Sequence, residues 1–556
     1  MLLVLFFTVC VNAQEYGNGW IRHQLQYFKF PIHKEGIYRI DSATLAKYYN
    51  LSNTDPNQFS LFIKGREQRL YIKGEADNKI NTGDYIEFYA NNQSADVDSL
   101  IYSNISYVPN PWAPLFNDTV YAFLTVDPNL PHLRYSIETD TNSIQYPAAA
   151  YFYAEKRRSF RDAYNDVIAY EDLSDPRYTQ AEGWGTQKGK GGNEYAAFPP
   201  LYSFSSPTLN AYFTVAYSGK SKSKIIAEDH EARITYSDAN NVQQVLSDTV
   251  YSGFAPIKQT FTINSQNVVN GSEFFFYSVA SPSFSAISNI TVLHYFYLFY
   301  PHNLNIGGFS TQKLVTDNVS NASKAAYQFS GLNLLGSGEA LLYDIDNGRK
   351  IETVITPPFV KAVIPNGSNG KSTLYLSAFN AADSVKKMSP VTFNGNFRDF
   401  NSGNPVKPYV IIYNRNLQTS ASAYKSYRES AAGGGFNVVM ADIDELYEQF
   451  GYGVPKHPVA IRNFLRFLNY SLSAAPQYVL LIGASAKPES YNPGHPLNYI
   501  PTMGRPSSDN LLSTGLSQNN FDFFPEIPIG RISTVNNGDA LAYLDKVKEH
   551  EATGDV

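Results

Sequence analysis

The residues at 507–510, Ser-Ser-Asp-Asn, are the polar cluster with the clearest binding chemistry in this sequence. They follow Ile-Pro-Thr at 500–502 and precede an apolar segment at 527–532, so we expect a loop at the carboxyl edge of a sheet. Calcium prefers carboxylate and carbonyl-type oxygens as ligands. Asp509 and Asn510 are therefore candidate ligands of a structural calcium ion, and an Asx turn or helix cap is the alternative interpretation.

Other residues capable of catalysis lack the surroundings that their chemistry needs. Ser485, in Gly-Ala-Ser-Ala at 483–486, has no second glycine to form a nucleophile elbow, so a turn or helix cap is expected. His457 and His495 each precede a proline, and we interpret both as surface loop residues rather than general bases. The segment Lys-Gly-Lys-Gly-Gly at 188–192 is interpreted as a solvated loop rather than a phosphate site.

Metal and nucleotide motifs are missing from the sequence. None of the nine histidines forms an H-x-x-x-H pair or a Cys/His cluster, which are the usual zinc-binding arrangements. There is no G-x-G-x-x-G turn after a strand and no Walker lysine. A dinucleotide- or nucleotide-dependent enzyme is therefore an unlikely class for this chain.

The single cysteine, Cys10, lies in an apolar segment at 1–13 that ends in Val-Asn-Ala. This pattern predicts a signal peptide cleaved after Ala13, although no lysine or arginine precedes the apolar residues. Acylation of Cys10 is a weaker interpretation, because Val9 stands where a small residue is expected. After cleavage, residues 14–556 contain no cysteine, which excludes a thiol nucleophile, a disulfide or a zinc–thiolate site within them.

The composition is that of a large folded protein and not of a nucleic-acid-binding one. A length of 556 residues suggests about three or four domains. Aromatic residues reach 15% and charged residues only 17%, which argues against disorder. The formal net charge is −6 and the longest basic run is the three residues at 156–158, so we expect no nucleic-acid partner. No segment after the predicted signal peptide has the roughly 18 apolar residues that a membrane-spanning helix requires.

The elements that must position these residues fall into three regions. Residues 14–160 are expected to form a β-rich domain with one helix at 42–49, capped by Asp41. Residues 161–404 contain short strand-like segments separated by turn residues, as in one or two β-sandwiches. Within them, an Asp-Asn-Gly turn at 346–348 predicts a β-hairpin.

The third region, 405–556, alternates strands and helices. Its apolar segments predict strands at 409–413, 436–440, 478–483 and 527–532 and helices at 419–432, 457–470 and 539–551. Crossovers of this length imply an open, mostly parallel sheet. Because the sequence stops directly after the last helix, we expect this domain to be incomplete.

The order of these segments resembles the gingipain family of cysteine peptidases. The resemblance covers residues 408–550. Its pieces are PYVIIYN (408–414), GGFNVVMADIDELYEQFGYG (434–453), HPVAIRNFLRFL (457–468), PQYVLLIGAS (476–485), IPTMGRPSSDN (500–510), PEIPIGRIST (525–534) and LDKVKEHE (544–551). Upstream, FKFPIHKEGIYRID (28–41), NTGDYIEFYA (81–90) and LLYDIDNGRKIETV (341–354) are similar to the N-terminal part of the type IX secretion system sortases of that family. The fold class implied is multidomain: β-rich, sandwich-like domains followed by an incomplete caspase-like α/β domain.

The resemblance implies a secreted or cell-surface cysteine endopeptidase, with a Cys thiolate as nucleophile, a His as acid/base and no metal in the chemistry. Sortase members cleave the C-terminal sorting domain from secreted cargo and transfer the acyl group to a lipopolysaccharide acceptor. Partners would thus be cargo proteins and outer-membrane secretion components, and some members hold structural calcium. In the family the His and Cys lie beyond the segment matching PEIPIGRIST, so no catalytic residue is assigned and residues 1–556 are expected to be inert alone.

A second class of function fits the same sequence. A non-catalytic surface adhesion or scaffold protein with a gingipain-like α/β domain would account for the aromatic, β-rich bulk and for the missing dyad. The residues that follow the last predicted helix would discriminate between these two interpretations.

Overall fold

The computed structural model describes residues 16–92, 94–166, 175–189, 192–197, 199–279, 289–403, 405–486, 495–518 and 520–553. The predicted fold class is confirmed, since β-sheets fill the first 400 residues and a parallel α/β sheet follows. The predicted signal peptide at 1–13 lies outside the described residues.

The N-terminal domain is built from two sheets. Its strands are β1 (Tyr27–Ile32), β2 (Gly36–Asp41), β3 (Phe59–Ile63), β4 (Arg66–Glu67), β5 (Tyr71–Ile72), β6 (Tyr85–Ala90) and β7 (Val120–Val126), with helix α1 (Ser42–Leu45) after β2. Helix α1 is shorter than predicted, but Asp41 caps it as expected, with its carboxylate accepting from the Thr44 N–H at 2.6 Å.

The next strands form a sandwich region. They are β8 (Ser136–Glu138), β9 (Tyr151–Ser159), β10 (Ala163–Asn165), β11 (Gly183–Gly185), β12 (Glu194–Ala196), β13 (Asn210–Gly219), β14 (His230–Ser237), β15 (Gln243–Tyr251), β16 (Pro256–Asn264), β17 (Phe274–Ser278), β18 (Thr291–Asn303), β19 (Thr311–Asp317), β20 (Lys324–Ser330), β21 (Ala340–Asp344), β22 (Arg349–Ile351), β23 (Thr353–Thr356), β24 (Phe359–Pro365) and β25 (Lys371–Ala378). Nine of them make one sheet in the order β16-β13-β18-β9-β19-β25-β21-β22-β8.

Two smaller sheets pack on this large sheet and give two sandwiches that share one layer. The sheet β12-β17-β14-β15 contacts one half, where the Phe213 and Phe274 rings are 4.4 Å apart. The sheet β20-β24-β23 contacts the other half, where Phe152 meets Phe329. Both halves belong to a single buried hydrophobic cluster.

The predicted hairpin at 341–355 is present, with β21 and β22 paired antiparallel from Asp344 opposite Arg349. The Asn-Gly pair was expected to permit positive φ at both residues, but only Gly348 has it, at 64°. Asn347 instead uses its side chain, which donates to the Asp344 carboxylate.

Strand pairing crosses the expected domain boundary at 160 in both directions. β8 and β9, from the segment assigned to the first domain, lie in the nine-stranded sheet. β26 (Asp383–Ser384) and β27 (Ser389–Pro390) return to the N-terminal domain, where they pair with β2 and β1 in the sheets β26-β2-β6-β5 and β27-β1-β7-β3-β4. Pairing between strands distant in sequence leaves no local signal, so the sequence could not indicate it.

The α/β domain has a fully parallel sheet in the order β29-β28-β30-β31. Its elements are β28 (Pro408–Tyr413), α2 (Gln418–Glu429), β29 (Asn437–Asp442), α3 (Ile443–Gln449), α4 (Val459–Ser471), β30 (Tyr478–Ile482), β31 (Ile529–Ile532) and α5 (Asn537–Thr553). All four strands and all three predicted helices are confirmed, while α3 was not predicted. In the described residues, no helix combines the length and the apolar character needed to cross a membrane.

The α/β domain and the N-terminal domain share one hydrophobic core. The cluster runs without interruption from Phe30 and Leu124 of the N-terminal sheets to Ile412 of β28 and Phe464 of α4. The other face of the parallel sheet packs on α2 and α5 in a smaller cluster around Ile411 and Tyr424. The N-terminal domain thus covers the α3 and α4 face of the sheet.

Candidate functional site

The four parallel strands end at one edge of the sheet, and this carboxyl edge is the candidate site. Because β29 and β30 lie on opposite sides of β28, the strand order reverses beside β28, and α/β proteins bind ligands at such points. Strand β29 ends at Asp442. Asn414 directly follows β28, Gly483 follows β30, and Ser533 follows β31.

Arg531, in β31, holds this edge together. Its Nη1 donates to the carbonyl oxygens of Gly483 (2.8 Å) and Ile500 (2.9 Å), and Nη2 donates to that of Pro501. The guanidinium also forms a bidentate ion pair with Asp509, with both N–O distances 2.7 Å. One buried side chain therefore joins the end of β30 to the loop that contains residues 500–510.

The two predicted calcium ligands lie beside the sheet edge, and each has a hydrogen-bond partner within the protein. Both carboxylate oxygens of Asp509 accept hydrogen bonds from Arg531, whose positive charge offsets the attraction for a cation. Asn510 is exposed, and its backbone carbonyl accepts from the Ser513 N–H. Across the described part of the chain, no group of three His, Cys, Asp or Glu residues is arranged to hold a metal. The geometry does not favour a calcium ion here, and the site stays a prediction.

Two of the other candidates lie in loops of the α/β domain. The Ser485 hydroxyl donates to the Ala486 carbonyl oxygen at 3.2 Å, and no histidine approaches it among the described hydrogen bonds. His495 accepts from the Leu497 N–H through Nδ1, as a turn residue does. In the segment 188–192, Lys188 pairs with Asp166 at 3.0 Å, while residues 190 and 191 lie outside the described residues.

The prediction that His457 lies on the surface is wrong. Its ring is fully buried and Nε2 lies 2.9 Å from Oδ1 of Asp98, a residue of the N-terminal domain that is also buried. Nδ1 accepts from the Val459 N–H, so Nε2 carries the proton and donates to Asp98. The second oxygen of Asp98 accepts from the Leu115 N–H. A histidine beside a proline looked like a loop residue because its partner is 359 positions away.

An acidic group follows β29 at the same edge. Asp442 caps α3 by accepting from the Asp444 N–H at 3.0 Å, and Arg415 pairs with both carboxylates. Burial raises the pKa of Asp442 despite that cation. Burial likewise raises the pKa of Glu445 to about 7, although Arg398 lies 3.3 Å away. The edge therefore presents carboxylates that are paired or easily protonated rather than free ligands.

The sandwich region also contacts the loop that Arg531 organises. The Arg505 N–H donates to the Pro176 carbonyl oxygen at 3.1 Å, and the Arg505 guanidinium pairs with Asp166 at 3.2 Å. The backbone is tightly packed here, since a Cβ on Gly504 would lie 1.9 Å from the Pro176 oxygen. Two other regions of the chain thus fix the α/β domain, one at α3–α4 and one at this loop.

Comparison with known proteins agrees with this architecture. Residues 403–556 match the model of peptidase family C25, the gingipain family, which confirms the predicted resemblance for that region. The fold of the chain is similar to that in the crystal structure of dimeric latent PorU from Porphyromonas gingivalis, with a TM-score of 0.56 and 13% identity. That similarity covers 94% of this chain and 49% of the PorU chain, so this chain spans about half the length of that protein.

Two other solved structures match smaller parts of the chain with low TM-scores. The CBM22-1 and GH10 modules of Clostridium thermocellum xylanase 10B match 30% of this chain and 28% of theirs, with a TM-score of 0.17 and 7% identity. The xylan-binding CBM22-1 domain of Paenibacillus barcinonensis Xyn10C matches with a TM-score of 0.16 and 11% identity, over 28% of this chain and 96% of its own. A comparison with curated proteins gave no match.

Arg531 was missed by the sequence analysis although it lies within the PEIPIGRIST segment. A single arginine in a short strand indicates neither its burial nor its partners. The available signal was the combination of Arg531 with Asp509, 22 residues earlier and in the loop that precedes the strand. The packing of the short helical turn at 509–512 against β31 brings the two together.

Proposed function

We propose that this chain is the N-terminal portion of an exported cysteine endopeptidase of the gingipain type, most like the sortase of the type IX secretion system. Its substrates would be secreted cargo proteins, from which the enzyme removes a C-terminal sorting domain at the outer membrane or cell surface. Outer-membrane secretion components would be its further partners.

The observation that carries this proposal is the extent of the structural similarity. The fold of PorU extends over 94% of this chain, so it includes the β-rich domains as well as the region that matches family C25. A peptidase-like domain attached to unrelated β-domains would match over the α/β region alone. The agreement in both parts therefore supports a protein built like PorU.

The chemistry expected of the complete enzyme follows from the family. A Cys thiolate attacks the carbonyl carbon of the scissile bond, and a protonated His donates to the leaving amine as the C–N bond breaks. The resulting thioester then transfers the acyl group to a nucleophile on the acceptor and regenerates the thiol. Neither dyad residue is assigned within residues 14–556, which contain no cysteine, so we propose that these residues alone are inert.

The described residues would then serve as the frame of the catalytic site. Arg531 and Asp509 fix the carboxyl ends of β30 and β31, the edge at which parallel sheets position reactive groups. The hydrogen bond between His457 and Asp98 and the shared core fix the N-terminal domain against α4. Their role would be to hold loops in position and not to touch the reacting atoms.

The experiment compares the product of the complete open reading frame with the chain of residues 14–556. Both are incubated with a cargo protein that carries its C-terminal sorting domain, with and without iodoacetamide, and cleavage is followed by mass spectrometry. We expect thiol-sensitive cleavage by the complete product and none by residues 14–556.

A complete product that folds but does not cleave, and whose reading frame encodes no further His and Cys, would favour the second hypothesis. In that case the chain belongs to a non-catalytic surface adhesion or scaffold protein. Calcium can be tested in the same samples, because a structural ion at Asp509 and Asn510 would raise the melting temperature of residues 14–556 on titration. An unchanged melting temperature would contradict the predicted site.

A further inference from the structure

A cleft with an unpaired arginine lies where the three regions of the chain meet. Its volume is about 640 Å³, a size typical of ligand sites, and its walls come mainly from the N-terminal domain. Ile345, in the turn after β21, and Tyr452, between α3 and α4, complete the lining from the sandwich region and the α/β domain. None of the carboxyl-edge residues described above lines the cleft.

Arg66 is the uncompensated charge of this cleft. Three of the lining residues are charged, and Lys64 is paired with Asp96 through both carboxylate oxygens, at 2.8 and 2.9 Å. The Arg66 side chain is exposed and has no hydrogen bond or ion pair with the described residues. A guanidinium presents five N–H donors in a planar fork that matches a carboxylate.

The backbone that carries Arg66 is rigid. Arg66 begins β4, directly after a two-residue hairpin turn in which Lys64 and Gly65 have φ of 50° and 75°. Gly65 lies against Trp20, since a Cβ there would be 3.2 Å from the indole. The turn therefore fixes the backbone position from which the Arg66 side chain extends into the cleft.

Side-chain amides line the wall beside Arg66. Gln68 uses its Nε2 to donate to the Arg66 carbonyl oxygen, and Asn91 accepts from the Tyr89 hydroxyl at 3.1 Å. The Gln68 carbonyl and the Asn91 amino group stay available, and the Asn92 side chain has no hydrogen bond with the described residues. Carboxamides offer the same donor and acceptor as a peptide group and can pair with an extended backbone.

We propose that this cleft binds a peptide through a carboxylate held by Arg66, as a docking site separate from the carboxyl edge of the parallel sheet. A peptide is favoured because Tyr452 belongs to the region that matches a peptidase family and because amides line the wall. The proposal rests on the proposed function in that its ligand would be part of a protein substrate. The carboxylate could be a chain terminus or an Asp or Glu side chain, and the chemistry is the same.

The test measures binding of short peptides to residues 14–556 by ligand-observed NMR, so it requires no catalysis. The probes are acetyl-Ser-Gly-Ser-Gly as the free acid, the same peptide amidated, and amidated acetyl-Ser-Gly-Asp-Gly. We expect at least one carboxylate-bearing probe to bind about tenfold or more tightly than the neutral one. Preference for the first probe identifies a chain terminus, and preference for the third identifies an acidic side chain.

The variant Arg66→Gln should abolish this preference, whereas Arg69→Gln, an equally exposed arginine outside the cleft lining, should preserve it. Asn92→Asp adds a negative charge to the wall and should weaken binding of the acidic probe by a similar factor. Unchanged melting temperatures would confirm that the variants are folded.

The docking site is excluded if no carboxylate probe binds more tightly than the neutral peptide, or if Arg66→Gln leaves the preference intact. Binding of inorganic phosphate in place of the peptides would also overturn it, since Arg66 would then hold a phosphate and not a carboxylate. Loss of cleavage activity in the complete enzyme would bear only on the proposed function, because binding is measured on the inert chain.

Discussion

The N-terminal domain contacts its two neighbours in different ways. With the α/β domain it shares a continuous core, in which residues such as Phe450 and Phe464 are fully buried. Its contact with the nine-stranded sheet is a small cluster of six buried residues, four of them tyrosines, next to the ion pairs of Glu87 with Arg39 and Lys350. The paired sheets of the sandwich region form a core of their own, while Tyr178, between β10 and β11, joins the core that the other two domains share.

The hydrogen bonds at the first junction also join backbone to backbone. The Tyr121 N–H, in β7, donates to the Gly453 carbonyl oxygen at 2.8 Å, and the side-chain amide of Asn117 donates to the Pro455 carbonyl oxygen at 3.2 Å. At the second junction, side chains add polar contacts, as where the Tyr343 hydroxyl donates to Glu87, beside backbone bonds such as that from the Tyr135 N–H to the Leu70 carbonyl oxygen at 3.0 Å. We infer that the N-terminal and α/β domains unfold together, and that the sandwich region unfolds as a separate unit.

The strongest test of this comparison is a pair of core truncations. Phe450→Ala removes a ring that contacts Phe400, Phe464 and Phe467, and should destabilise by about 3–5 kcal/mol. Calorimetry with hydrogen exchange should show protection lost in both the N-terminal and the α/β domains. The matched variant Phe276→Ala, in β17, should affect the sandwich alone. Loss confined to the α/β domain in Phe450→Ala would contradict a shared unit.

The buried pair across the first junction should give the next largest effect. Asp98→Ala leaves the His457 Nε2–H and the Leu115 N–H without their acceptor in a buried site, at a cost of about 2–4 kcal/mol. Urea unfolding measures the free energy of unfolding. At the second junction, Tyr343→Phe removes one hydrogen bond and should cost less. An equal loss in the two variants would remove the distinction between the junctions.

Within the α/β domain, Arg531→Met should cost about 1.5–3 kcal/mol, because it leaves Asp509 without its cation and three carbonyl oxygens without a donor. Hydrogen exchange should rise in residues 500–510 and not in α4. Arg531→Lys should recover only part of the stability, since an ammonium cannot form the bidentate pair. As a control, Arg233→Gln, in an exposed ion pair with Asp248, should change stability by less than about 0.5 kcal/mol.

The smallest effect concerns pH. Burial raises the pKa of Glu445 to about 7 in the folded protein, above its ordinary value of 4.5. The folded state therefore binds this proton more tightly than the unfolded state does, and the resulting stabilisation is lost as the pH rises through 7. Glu445→Gln should remove that slope and raise stability by about 1–2 kcal/mol at pH 8. A variant with the same pH profile as the parent would show that Glu445 does not titrate in this range.

Local patterns predicted the elements of the molecule, and their limits are equally physical. The parallel strands and their helices were found because buried strands are continuously apolar and the helices have one apolar face. Helix α3 was missed because its residues are buried nearly all round, including Glu445 and Glu448, which hides any periodicity. A buried carboxylate in a domain junction needs a cation as its partner, and that cation can be far away in sequence. Glu448 pairs with Lys29 in this way.

The candidate site was predicted less well than the fold. The location of the loop at 507–510 beside the sheet edge is correct, because parallel strands end together. The partner of Asp509 was not predictable, since Arg531 reaches it only through the packing of the short helical turn at 509–512 against β31. The same reason explains His457, whose burial depends on a domain that lies more than 300 residues earlier.

The backbone hydrogen bond between Tyr121 and Gly453 has a consequence for how domains of such proteins can be exchanged. A fragment cut at residue 403, where the match to the peptidase family starts, would expose the apolar face of α3 and α4 and would lose backbone partners. The exchangeable module is therefore the α/β domain together with the N-terminal sheets, while the sandwich region between them in sequence is the part that can be replaced. Chimeras designed on that division would keep the shared core of the two domains, but they would have to rebuild the contacts of Arg505 with Pro176 and Asp166.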